Sequence, residues 1–127
     1  MQAARPFCPQ CNLAVPLKHT TVVTENGREA ICHECVPAWK EQTAKKILTK
    51  IKAVLKKVDC PVEASLATAT FEQLHNHAYC LVEKLTQQAD KIVNLLGREI
   101  IYDLLKPLSV LIHIFQLDEK ALFVLAV

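Results

Sequence analysis

The sequence predicts a mainly α fold, in which a small N-terminal module built on cysteines and a β-hairpin precedes a helical bundle. Three observations predict it. Two Cys-x-x-Cys pairs, Cys8/Cys11 and Cys32/Cys35, bracket a short β-like segment. From Trp39 onward, apolar residues recur at three- and four-residue steps. Glycine occurs only as Gly27 and Gly97, which suits a chain with few hairpins and tight turns.

The cysteine module comes first. The twenty residues Asn12 to Ile31 separate the two pairs. Each Cys-x-x-Cys turn aims two sulfurs at one point. Two such turns complete a tetrahedral site with Zn–S bonds of about 2.3 Å. The spacing therefore predicts that Cys8, Cys11, Cys32 and Cys35 hold one structural Zn2+. Four thiolates leave no open coordination position, so the ion would build rather than react. It would also supply folding energy that so small a segment lacks. His19 and His33 are alternative donors by residue type, but both are expected at the surface, with His33 pointing out of its Cys-x-x-Cys turn.

Between the pairs, Thr20–Thr24 reads as a strand, Glu25-Asn26-Gly27-Arg28 as a turn, and Glu29-Ala30-Ile31 as the return. After Cys35, Pro37 suits the first turn of a helix. A knuckle, a hairpin and a second knuckle at a helix start follow treble-clef logic; a zinc ribbon would have a second hairpin instead. The pattern Cys8-Pro-Gln-Cys11 … Ile31-Cys32-His-Glu-Cys35-Val36, then a helix, resembles the N-terminal zinc-binding domain of the ClpX unfoldase over residues 8–45. That resemblance implies a treble-clef zinc finger that dimerises and binds protein partners. The ATPase of that family is absent, since there is no Walker A motif. Where the family has glycine after the first pair, this chain has Asn12, which also tolerates a left-handed backbone.

Residues 1–39 form the expected zinc module and 40–127 the helical domain, divided into a basic amphipathic helix, 40–58, and a body, 61–127. On the helix, Ala44, Ile47, Leu48, Ile51, Val54, Leu55 and Val58 fall within about 60° of one line. Lys45, Lys46, Lys50, Lys52, Lys56 and Lys57 fall about 100–140° away on both flanks. The segment 40–58 holds seven lysines against Glu41 alone, while 59–127 holds nine acidic and five basic residues. The six lysines are thus candidate contacts for nucleic-acid phosphates or an acidic protein partner, or else a solvated helix face. The absence of arginine, and of any aromatic beyond Trp39, disfavours base reading and stacking.

In the body, Asp59-Cys60-Pro61 is expected to break the chain and start a helix. Helical spacing is clear from Phe71 through Leu74, Ala78, Leu81, Val82, Leu85, Ala89, Ile92, Val93 and Leu96. It resumes at Ile100, Ile101, Leu104 and Leu105. Gly97 is expected to end one helix or mark a close contact, and Pro107 to end the next. Residues 108–117 are too apolar for periodicity to choose between helix and strand. Asp118 is expected to cap a last helix, Glu119 to Ala126. The apolar tail, Ala121 to Val127, must pack on the body, a second subunit or a partner. A homodimer through these C-terminal helices is one expectation. His77 and Cys80, one turn apart, are a candidate second metal pair, read more simply as a polar helix face with a buried thiol. Cys60 reads as inert.

Hydrophobic residues make up 51% and charged residues 22%, which suits a folded chain with a real core. The segment Met1 to Pro9 lacks a secretory apolar core, and no apolar run reaches the ~18 residues of a membrane span. The expectation is an intracellular, cytoplasmic, soluble protein. No nucleophile with a base, no paired carboxylates and no phosphate-cradling glycine loop are visible. The sequence therefore points to a non-enzymatic zinc-binding regulator or adaptor acting through protein contacts. The alternative is a nucleic-acid-binding, transcriptional regulator using helix 40–58.

Overall fold

The computed structural model describes residues 7–16, 19–63 and 65–126. The start of the expected first module, residues 1–6, and the last tail residue, Val127, lie outside that range. Among the described residues the fold is mainly α, with one antiparallel hairpin and five helices.

Strands β1 (Thr20–Thr24) and β2 (Gly27–Ile31) pair from Thr20↔Ile31 to Thr24↔Gly27. The return strand thus begins two residues earlier than the sequence suggested. The Thr24 hydroxyl accepts from the Asn26 N–H at 3.2 Å and donates to the Gly27 carbonyl at 3.0 Å. Gly27 turns the corner with φ 103°, where a β-carbon would be strained by the backbone alone.

A 3-10 turn, His33–Cys35, leads directly into α1 (Val36–Lys57). Pro37 sits in its first turn, as expected. The helix is continuous across residues 39 and 40, so no linker separates the two expected domains there. All seven residues of the predicted apolar stripe are buried, and Trp39 joins them. The end of α1 is a Schellman cap. Asp59 turns left-handed at φ 58°, Cys60 N–H reaches the Leu55 carbonyl at 2.9 Å, and Asp59 N–H reaches Lys56 at 3.3 Å.

The expected helix start at Pro61 is not there. The next helix, α2 (Phe71–Gln87), begins ten residues later at a capping box. Thr70 Oγ1 accepts from Gln73 N–H at 3.2 Å, and Gln73 Oε1 accepts from Thr70 N–H at 2.9 Å. Between the helices, Leu66 and Ala69 plug into the core. A turn at Gln88 separates α2 from α3 (Ala89–Leu96), although the apolar spacing runs through both. Gly97, at φ 95° and ψ 159°, ends α3 and starts α4 (Arg98–Phe115). Nothing lies within 4 Å of a β-carbon there, so backbone conformation rather than close contact requires the glycine.

Pro107 does not end its helix. It lies inside α4, which continues for eight more residues. Proline lacks the N–H that would bond one turn back. That loss is offset by burial on the core side: Leu104, Leu108, Leu111 and Pro107 itself are all buried. Helix α4 touches β1 and each of the other four helices. This central position also explains why 108–117 shows no period: the stretch to Phe115 is helix with a nearly all-apolar surface. Gln116 closes it in the left-handed region at φ 53°. Asp118 Oδ1 then accepts from Lys120 N–H at 2.9 Å, capping α5 (Lys120–Ala126).

Candidate metal centre

Each cysteine pair is shaped by its own backbone. In the first, Asn12 N–H bonds the Cys8 carbonyl and Cys8 N–H bonds the Leu13 carbonyl, both at 2.9 Å. Asn12 takes φ 64° to close this turn, the left-handed conformation expected of it. Phe7 and Ala14 bridge behind it. In the second, Cys32 follows the last residue of β2, and Cys35 N–H bonds the Cys32 carbonyl at 3.0 Å. The hairpin therefore delivers the second pair to the first.

The result is a cluster of four sulfurs, Cys8, Cys11, Cys32 and Cys35, all within 4.8 Å of one another. Among the described residues it is the one group of three or more donors within reach of a single ion. Zn–S bonds of about 2.3 Å would set a tetrahedron edge of about 3.8 Å. The Sγ atoms of Cys11 and Cys32 are 3.8 Å apart. The donor set thus fits a four-coordinate, thiophilic ion with no position left over. Cys8 is fully buried, Cys32 and Cys35 are half-buried, and Cys11 reaches the surface.

The thiols differ in acidity. Burial works to raise the Cys8 thiol, but backbone hydrogen bonds from Cys11, Cys32 and Gln10, and the Cys11 side chain, bring it down to about 6. Burial pushes the Cys35 thiol up to about 12, helped by hydrogen bonding to Cys11 and Cys8 and by the charge on them. The same causes, burial first, raise Cys32. Four neighbouring thiolates repel one another, so a divalent cation is the natural counter-charge for the set.

The surrounding contacts tie the centre to the helices. Gln10 donates to the Gln42 side chain at 3.1 Å, linking the first knuckle to α1. His33 is exposed and points away from the sulfurs, with Nδ1 2.6 Å from the Thr20 hydroxyl. His19 is also exposed, with Nδ1 3.0 Å from the Pro16 carbonyl. Neither histidine belongs to the cluster.

The six candidate lysines of α1 are not equivalent. Lys45 pairs with Glu41 at 3.1 Å and donates to the Ala67 carbonyl at 3.2 Å. Lys50 faces Glu25 of the hairpin at 3.8 Å. Lys52 is half-buried, while Lys46, Lys56 and Lys57 are exposed. His77 and Cys80 find no third donor among the described residues. Cys80 is exposed rather than buried, and Cys60 is half-buried. His75 instead stacks on Phe115, with ring centroids 5.3 Å apart. Two features escaped the sequence reading. The Thr70-x-x-Gln73 cap was legible as a motif, whereas the Gln10–Gln42 link bridges 32 residues and has no local signal.

No family model, curated protein or solved structure matches this chain. Its class is defined by its own geometry: a four-cysteine metal-binding cluster at the head of a helical body. No helix among the described residues is long and apolar enough to cross a membrane.

Proposed function

We propose that this chain is a non-enzymatic adaptor or regulator, in which one structural zinc ion organises a treble-clef module and the surfaces around it bind another protein. The observation that carries this reading is the closed donor set: four Sγ atoms within 4.8 Å saturate a tetrahedral ion and leave no site for substrate or water. The order of knuckle, hairpin, knuckle and helix supports the treble clef, as does the resemblance of residues 8–45 to the zinc-binding domain of ClpX. Reduced cysteines suit a cytoplasmic setting. The test compares zinc-loaded protein with protein stripped by a chelator, each immobilised and exposed to host extract. A partner retained only by the zinc-loaded form, and lost in Cys32→Ser, supports the reading. Capture indifferent to zinc, or none, removes it.

One observation favours a second reading, nucleic-acid binding. From Gln42 to Lys57 helix α1 has no acidic residue, and Lys46, Lys56 and Lys57 are exposed along it. Contacts to phosphates would weaken steeply with salt. The internal partners of Lys45 and Lys50 count against this reading. A filter-binding titration across salt decides it: a salt-insensitive signal, or none at low salt, rules it out.

A further inference from the structure

Among the described residues β1 and β2 pair only with each other, so each strand has a free edge. Along an antiparallel strand, alternate residues turn their N–H and C=O toward the partner strand and away from it. The two-residue loop Glu25-Asn26 makes Thr24↔Gly27 a hydrogen-bonded pair, and Val22↔Glu29 and Thr20↔Ile31 follow at steps of two. Thr21 and Val23 therefore direct their backbone groups to the outer edge of β1. Among the described residues no other segment bonds them there.

That edge is one wall of a groove of about 220 Å³, with Trp39 and Lys40 of α1 and His113 and Ile114 of α4 around it. An apolar cavity of about 150 Å³ accepts a benzene molecule, so this groove has room for one side chain. No acidic residue lines it. Lys40 has no carboxylate partner among the described residues; its neighbour Glu41 pairs with Lys45 instead. Trp39 is only 7% exposed, and its indole N–H has no acceptor among the described residues. No buried side-chain nitrogen or oxygen is left without a partner, so that N–H opens on one of the two grooves the ring lines. The metal centre fixes these walls relative to one another, since β2 ends next to Cys32 and α1 starts next to Cys35.

We propose that an extended acidic segment of a protein partner adds to β1 as a third strand. Its backbone bonds Thr21 and Val23, and one carboxylate side chain meets Lys40 in the groove. Free N–H and C=O groups in alternation call for another backbone, whereas a small anion would satisfy the donors and leave the carbonyls unpaired. The uncompensated ammonium selects a carboxylate over an amide or a second cation. The proposal rests on the reading of this chain as an adaptor and names the chemistry of its partner.

The test uses Trp39, the single tryptophan, as a fluorescent reporter in zinc-loaded, full-length protein. The probe is the end-blocked peptide Thr-Val-Glu-Val-Thr. The expected result is saturable binding with a dissociation constant below about 1 mM, seen by fluorescence or calorimetry. Exchanging the central Glu for Gln, or introducing Lys40→Gln, should each weaken binding about tenfold. Lys40→Glu should reverse the preference, so that Thr-Val-Lys-Val-Thr binds better than the Glu peptide, which a misfolded variant would not do. Methylating the backbone nitrogens of one alternate set of peptide residues should abolish binding, and methylating the other set should not. No saturable binding, equal binding of the Glu and Gln peptides, or equal binding of the two methylated peptides overturns the proposal. Glutarate binding as tightly as the peptide also overturns it, because the groove would then be taking a small acid. Zinc-dependent capture of a partner that K40Q leaves unchanged keeps the adaptor reading and removes only this strand site.

Discussion

The Sγ atoms of Cys11 and Cys32 lie 3.8 Å apart although the two residues are 21 positions apart in the chain. That distance matches the edge of a zinc–thiolate tetrahedron, about 3.8 Å for bonds of about 2.3 Å. One sulfur comes from a tight knuckle and the other from the end of β2, so the hairpin register sets the separation. Loss of either ligand should therefore disturb the whole N-terminal module. Cys11→Ser and Cys32→Ser are each expected to reduce bound zinc from one ion per chain to a weak residual, read by elemental analysis after dialysis. Chelation should lower the midpoint of thermal unfolding, because binding energy at such a site is folding energy.

Zinc uptake should depend steeply on pH. Cys8, at about 6, is largely thiolate at neutral pH, whereas Cys35, pushed up to about 12, and Cys32, also raised, are protonated there. Both must lose a proton to bind the ion. At least two released protons mean that affinity rises at least about a hundredfold per pH unit near neutrality and falls as the pH is lowered. Below pH 6 Cys8 is protonated as well, and the fall steepens. Calorimetry in buffers of different ionisation enthalpy counts the protons; release of none would contradict the assignment.

Thr70 has a local role that can be isolated. Its hydroxyl caps α2 at 3.2 Å and no catalytic or metal role attaches to it. Thr70→Ala should cost about 1 kcal/mol in urea denaturation. Zinc content should be unchanged.

Gly97 tests a backbone requirement. Its φ of 95° and ψ of 159° fall in a region that only glycine populates readily, and open space surrounds the missing β-carbon. Gly97→Ala should destabilise by about 1–3 kcal/mol. Gly97→Asn should do no better, because asparagine tolerates the left-handed helical region and not this one. Equal stability of G97A and wild type in urea would show that the corner between α3 and α4 can relax.

Some elements were legible in the sequence because their signals are local. The stripe from Ala44 to Val58 could be read because one face of a helix repeats every 3.6 residues, and each predicted member is buried. Asn12 could be read as a left-handed residue because few side chains tolerate that geometry. Pro107 was misread for the opposite reason. Its local rule says stop, but the burial of its neighbours overrides the missing hydrogen bond. Pro61 was misread because a proline marks where a helix is allowed to begin, while the cap at Thr70 marks where this one does.

The sequence by itself determined the donor set, the mainly α class and the buried face of α1, since these depend on residue type and short-range spacing. Only the tertiary structure decided the rest. It closed the sulfurs to within 4.8 Å, made 108–115 helix by placing it at the centre of the bundle, and engaged Lys45 and Lys50 with Glu41 and Glu25. It also left Phe123 exposed on the last helix. Each of these outcomes depends on what one segment meets from another, which no local pattern encodes.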